Sequence, residues 1–193
     1  MSRRVTVLAD NIAGLLDTPG SGPGSLLDVG CGDGTVTALV GTRIPGLKAQ
    51  GIDVLARPTC AIPMQTYDGH RFPFADQSFD AVLFTDVLHH TPDPLPLLRE
   101  ARRVARHAVL IKDHLCESAW DDRVLQLMDW VGNRPHGIVL PYNYWSEQQW
   151  RSAWAEAGLS PVRYLTRLGL YPALVRPLFE NGLHFLVRLE PAC

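Results

Sequence analysis

The spacing of apolar residues changes period several times along the chain. Val5, Leu8, Ile12, Leu15 and Leu16 recur at helical intervals, so residues 3–17 read as an amphipathic helix. It stops at DTPGSGPG (17–24), a run of turn residues. SLLDV (25–29) is a short apolar run that suits a buried strand, and TVTALVGTRI (35–44) suits a helix. LKAQGIDVL (47–55), PMQTY (63–67) and FDAVLFTDV (79–87) read as second, third and fourth strands. DPLPLLREARRVAR (93–106) predicts a helix entered through prolines, which the first turn tolerates, and HAVLIKDHL (107–115) a fifth strand.

In the following segment Trp120, Val124, Leu127, Met128 and Val131 share one helical stripe. Residues 132–145, GNRPHGIVLPYNYW, form a long link. Ser146 with Gln149 makes a capping box for the next helix, Trp145 and Trp150 occupy hydrophobic-staple positions, and Gly158 ends it. PVRYLTRL (161–168) and LHFLVRL (183–189) alternate as two closing strands, joined by residues 169–182 without a helix, which makes the last strand antiparallel. Strands alternating with helices predict an open, mostly parallel α/β sheet.

The 193 residues fit one domain, with an N-terminal helix and loop over residues 1–23, a half 24–113 that carries the recognisable motifs, and a half 114–193 that faces them. A net charge of −2 gives no general attraction to nucleic acid. The basic cluster Arg99, Arg102, Arg103 and Arg106 falls at helical spacing and reads as a solvated face. Cys31, Cys60, Cys116 and Cys193 form no CxxC pair, which argues for a reducing compartment over zinc or disulfides. The N-terminal stretch lacks a signal-peptide core and no apolar run is long enough to span a bilayer, so the expectation is a soluble cytoplasmic protein.

The stretch LLDVGCGDGT (26–35) is the richest in chemistry. A carboxylate, Asp28, ends an apolar strand, and Gly30, Gly32 and Gly34 follow at alternate positions, with Cys31 between the first two. In an α/β sheet that loop lies where ligands bind, beyond the carboxyl ends of the strands. The dinucleotide fingerprint GxGxxG is broken by Thr35 at its last position, and a pyrophosphate would be repelled by Asp28, which makes an NAD-dependent oxidoreductase the weaker alternative. Asp53, at the end of the second strand, suits a pair of ribose hydroxyls, and Asp68, after the third, suits an adenine amino group.

The segments LLDVGCGDGT, GIDV, YDGHRFPFADQSFDAVLFTDVLHHTPDP and LLREARRVARHAVLIKD follow one another over residues 24–113 in an order that resembles class I S-adenosylmethionine-dependent methyltransferases, of the small-molecule type similar to ubiquinone and menaquinone biosynthesis methyltransferases. The resemblance implies a Rossmann-like seven-strand sheet ordered 3-2-1-4-5-7-6, with strand 7 antiparallel and helices on both faces. It implies that S-adenosyl-L-methionine, with S-adenosyl-L-homocysteine as product, lies over Asp28 and the Gly30–Gly34 loop, its ribose on Asp53 and its adenine near Asp68 and Gly69. Thr85 would face the methionine part. One departure stands out: LARPTCAIPM (55–64), with Pro58 and Pro63, leaves room for only a short helix after the second strand, or none.

Methyl transfer needs a base only if the acceptor must lose a proton. His89 and His90 are the catalytic candidates at the end of the fourth strand, and Asp113 and His114 stand at the end of the fifth. A metal on Asp86, His89, His90 and Asp93 matches no known spacing, so none is expected. The acceptor is expected to be small or lipid-linked, under a lid made by helix 3–17 and the 132–145 link, which gathers His136, Tyr142, Asn143, Tyr144 and Trp145. Nucleic acid is not expected as acceptor, because FTDVLHH stands where an Asn-Pro-Pro-Tyr type of motif would. A protein of this fold that binds the cofactor without catalysis is the other alternative.

Overall fold

A computed structural model of the chain describes residues 2–16, 24–133, 142–180 and 182–192. Residues 17–23 of the expected turn, most of the 132–145 link with His136, and Cys193 lie outside them. Helix α1 (Arg3–Leu16) precedes strand β1 (Ser25–Val29), α2 (Thr35–Gly41), β2 (Lys48–Asp53), β3 (Met64–Thr66) and β4 (Phe79–Thr85). Then come α3 (Leu95–Val104), β5 (Ala105–His114), α4 (Ala119–Asn133), α5 (Glu147–Glu156), β6 (Leu159–Leu165), α6 (Arg176–Phe179) and β7 (His184–Pro191). The strands form one seven-stranded sheet in the order β3-β2-β1-β4-β5-β7-β6. β7 is antiparallel to β5 and β6, and the other pairs are parallel.

Alternation along each strand sends successive side chains to opposite faces. Leu27, Val82, Phe84, Val109 and Ile111 meet Leu98 and Ala101 of α3 and Trp150 and Trp154 of α5. Their neighbours Leu26, Ala81, Leu83, Ala108 and Leu110 meet Leu8, Ile12 and Leu16 of α1 on the other face. The expectation of α1 as a lid is therefore corrected: its apolar stripe is core, and only its first turn reaches the carboxyl edge of the sheet. The capping box of α5 is formed at Ser146 and Gln149, and the Trp145 and Trp150 ring centroids lie 5.1 Å apart.

Two further differences have local causes, and one expectation holds. The α4 stripe is mostly not buried: Val124 and Leu125 face a small satellite core with Leu183, while Trp120, Leu127 and Val131 stand outward. A one-turn helix, α6, forms between β6 and β7 because Glu180 gathers that segment, accepting from the amides of Gly169, Leu170 and Tyr171. Between β2 and β3 there is no helix, as Pro58 and Pro63 suggest, and Val54 and Leu55 are exposed there. The Arg cluster is paired with acids, Arg99 with Glu156, Arg103 with Glu100 and Asp76, and Arg106 with Asp80.

Candidate active site

The order of the strands reverses between β1 and β4, and both strands end at the same edge, which makes this the place where an open α/β sheet holds a ligand. Gly30 follows β1 with φ +70°, and a Cβ there would stand 2.6 Å from Val87, just past β4. The loop and the end of β4 are thus pressed together. Gly32 has φ +57°, yet a Cβ on it would meet nothing within 4 Å. Main chain is bare at that point and faces open space. Gly34 is the left-handed N-cap of α2. Cys31 packs, partly buried, beneath the loop against β2, where burial pushes its thiol above the usual range.

The expected acids do different things. Asp28 is 4% exposed and accepts from the Thr37 hydroxyl at 2.6 Å, so it sits behind the loop and fastens β1 to α2. Burial pushes its carboxyl up to about 7, against the pull of the Thr37 hydroxyl. Asp53 accepts from the amide of Gly32 at 2.9 Å and from that of Leu55 at 2.9 Å, holding the glycine loop to the end of β2. Each carboxylate oxygen can accept more than one hydrogen bond, so these contacts leave capacity on Asp53. Asp68 is exposed and forms an Asx-type turn, accepting from His70 and Arg71 through one oxygen. Gly69 lies against Val54, where a Cβ would stand 3.2 Å from its methyl. The Thr85 hydroxyl is buried at the end of β4 with no hydrogen-bond partner among the described residues.

Past β4 a cavity of about 550 Å³ opens. Asp86, His89, His90 and His114 line its floor, and Leu127, Met128, Asp129 and Val131 of α4 one wall. Arg4 of α1 with Tyr171, Val175 and Phe179 lines the other. Asp86 takes φ +56°, a conformation that costs a residue with a Cβ and is seen where surroundings impose it. Its carboxylate is held by Lys112, by Arg4 at 3.1 Å and by His114 at 3.8 Å. Burial would raise its pKa, but these positive groups hold it far below the usual range.

The paired histidines separate. His89 is 2% exposed, and its Nδ1 lies 2.6 Å from Asp113 while its Nε2 lies 3.4 Å from Asp129. Burial would lower its pKa, yet the two carboxylates push it up to about 10, so it is an imidazolium at neutral pH. Tyr144 donates to the same Asp129 at 2.5 Å and stacks on the His89 ring. His90 is pushed down to about 4, by burial and then by the charge of His89, whose ring centroid is 4.0 Å away. His114 is lowered by burial and Lys112.

His89, Asp113 and His114 offer donor atoms within 4.8 Å of one another. The 2.6 Å between the first two is the length of a charge-assisted hydrogen bond, shorter than the ~3.3 Å that separates two ligands on one tetrahedral ion. Asp86, Asp129 and Arg4 are the site residues that sequence reasoning missed as such. Asp129 and Arg4 lie on helices far from the motifs in sequence, and no local pattern marks them. Asp86, beside Thr85 at the end of the fourth strand, was legible by position.

A seven-strand sheet of this order with a glycine loop at its reversal point defines a class of methyl-transferring folds, and comparison with known proteins agrees. Residues 2–164 match the methyltransferase-domain family. The chain is 29% identical over 119 residues to 27-O-demethylrifamycin SV methyltransferase of Amycolatopsis mediterranei, covering 55% of this chain and 43% of that protein. It is 31% identical over 91 residues to demethylmenaquinone methyltransferase of Thermotoga maritima, covering 44% and 40%. Among solved structures, geranyl diphosphate C-methyltransferase of Streptomyces coelicolor, in complex with Mg²⁺, geranyl diphosphate and S-adenosyl-L-homocysteine, shares the fold with a TM-score of 0.67 at 14% identity over 95% of this chain and 78% of that one. The chain belongs to the methyltransferase-domain family, among the class I S-adenosylmethionine-dependent methyltransferases. It spans less than half the length of the curated relatives it matches. Among the described residues no helix is long and apolar enough to cross a membrane.

Proposed function

We propose that this chain transfers a methyl group from S-adenosyl-L-methionine to a small or lipid-linked acceptor held in the cavity past β4. The observation that carries the reading is the bare main chain at Gly32, open to space and pinned to Asp53, with Val87, next in the chain to the cavity-lining Asp86, packed on Gly30. A bound cofactor would sit against that loop and face the acceptor cavity. Family membership supports it, as does a solved structure of the same fold that holds S-adenosyl-L-homocysteine.

The residues present fit the cofactor. The Gly30–Gly34 loop and the orphaned Thr85 hydroxyl would hold its methionine part, Asp53 its ribose, and Asp68 with Gly69 and the exposed Val54 its adenine. When bound, S-adenosyl-L-methionine supplies an activated methyl on a sulfonium. The chain's own contribution is to hold the acceptor in line and keep water out, and such positioning supplies up to ~7–11 kcal/mol of barrier reduction. Tyr171, Phe179, Met128 and Val175 give the acceptor apolar contact, and the floor gives it polar contact. His89 and His90 both line that floor, His89 as a fixed positive charge and His90 as a neutral ring. We place the protein in the cytoplasm, without nucleic acid as acceptor.

Gly32→Val tests the cradle. Two methyls on a φ of +57° would occupy the open space, and little else packs there. The variant is expected to keep its circular dichroism and lose binding of S-adenosyl-L-homocysteine at least hundredfold. Wild-type affinity in a folded variant would remove the loop from the site.

A further inference from the structure

The charges that line the acceptor cavity cancel. Arg4 and the buried Lys112 pair with Asp86, and the His89 imidazolium lies between Asp113 and Asp129. The cations are already committed, His89 between two carboxylates and Arg4 to Asp86 with its guanidinium 5.9 Å from the Tyr171 ring centre. The buried His90 Nδ1 has no partner among the described residues. Among the described residues this floor offers only the His90 and His114 rings to take up a proton, and each lies beside a positive charge, His89 for the first and Lys112 for the second. His89 already carries a proton. The His90 ring lies tilted against that charge with its centroid 4.0 Å away, so a second proton there would set two positive rings in contact.

Resting on the methyl-transfer reading, we propose that the acceptor atom is a neutral amine nitrogen on an apolar frame, methylated without a base from the protein. In such a transfer the amine lone pair forms the N–C bond while the S–C bond breaks and leaves its electron pair on sulfur. The positive charge moves from sulfur to nitrogen and the total in the cavity is unchanged. Asp86 and Asp129 line the space that receives it. The proton on the new ammonium passes to water after release. A hydroxyl acceptor would instead have to pass its proton inside the cavity, and among the described residues only the His90 and His114 rings are placed to take it, His114 beside the Lys112 ammonium. The low pKa of His90, about 4, shows the cost of doing so. An acceptor that carries a carboxylate would meet Asp86 and Asp129 with no uncommitted cation among the described lining residues to compensate.

The test uses isosteres that differ only in the head group. 2-Phenylethylamine, 2-phenylethanol and phenylacetate, with tryptamine, tryptophol and indole-3-acetate as a second frame, are titrated calorimetrically into the full chain saturated with S-adenosyl-L-homocysteine. In that complex the ammonium form carries the charge that the transfer places on nitrogen. In each frame the amine is expected to bind at least tenfold tighter than the alcohol, and the carboxylate weakest. In turnover with S-adenosyl-L-methionine, kcat/KM for 2-phenylethylamine should rise with pH along the amine's own ionisation. It should shift to lower pH with 2,2-difluoro-2-phenylethylamine, whose ammonium is more acidic. Alcohol or carboxylate bound as tightly as the amine, faster methylation of the alcohol, a pH profile that ignores the fluorine substitution, or no binding in either frame would each overturn the proposal. Failure of S-adenosyl-L-homocysteine to bind would instead sink the methyl-transfer reading beneath it.

Discussion

Asp28 and Asp53 end neighbouring strands, and the sequence marks them alike, as acids after apolar runs. Both are buried, and what separates them is what they accept from. Asp53 has two amides to satisfy it, whereas Asp28 has one hydroxyl. Sequence spacing shows where a carboxylate lies along a strand, but its burial depends on a helix that packs over it later, here through Thr37. The raised carboxyl has a consequence for stability. A group whose folded pKa, about 7, lies above its ordinary 3.8 favours the folded state at low pH, and that contribution is lost as pH rises through 7. The cofactor-free protein should therefore lose on the order of 2–4 kcal/mol from this group between pH 4 and 8. Asp28→Asn cannot ionise and should not. Urea unfolding at pH 5 and pH 8 reads the difference: the variant gains on the wild type at the higher pH, and parallel losses would remove Asp28 as the cause.

Among the elements, the strands were legible because their alternation is strong and both faces of the sheet are covered. The helices, α6 apart, were legible in existence but less so in role. α1 and α4 both show a stripe at helical spacing, yet α1 buries its stripe at Leu8, Ile12 and Leu16 while α4 leaves Trp120 exposed and turns Leu127 and Val131 to the open cavity. Spacing reports an apolar face and says nothing of what will cover it. α4 is held largely by a polar clasp, in which Asp129 meets the His89 imidazolium and the Tyr144 hydroxyl. His89 has a folded pKa of about 10 against an ordinary 6.5, so its stabilising contribution is complete below pH 6.5 and lost as pH rises through 10. His89→Asn removes the charge and leaves two buried carboxylates facing each other's field, a change of the kind that costs ~3–5 kcal/mol. Tryptic cleavage after Arg123 in α4 should then run at least tenfold faster at pH 7.5 than in the wild type. In the wild type it should accelerate only as pH approaches 10. Equal rates at pH 7.5 would show that the clasp does not hold the helix.

Across the whole molecule, two features meet at one edge of the sheet. The glycine loop with Asp53 is compact in sequence and could be read there in full. The acceptor cavity is assembled from α1, the ends of β4 and β5, α4 and the segment around α6, and its lining at Arg4, Asp129 and Phe179 has no signature because each residue comes from a different stretch. That asymmetry is why the cofactor could be inferred from residues alone and the acceptor could not. Everything proposed for the cavity depends on the loop taking an S-adenosyl ligand and not a dinucleotide. Calorimetric titration of the intact chain with S-adenosyl-L-homocysteine and, in parallel, with NAD decides between them. A single saturable site for S-adenosyl-L-homocysteine, with NAD at least hundredfold weaker, is the predicted result; NAD bound as tightly, or neither ligand bound, would contradict it.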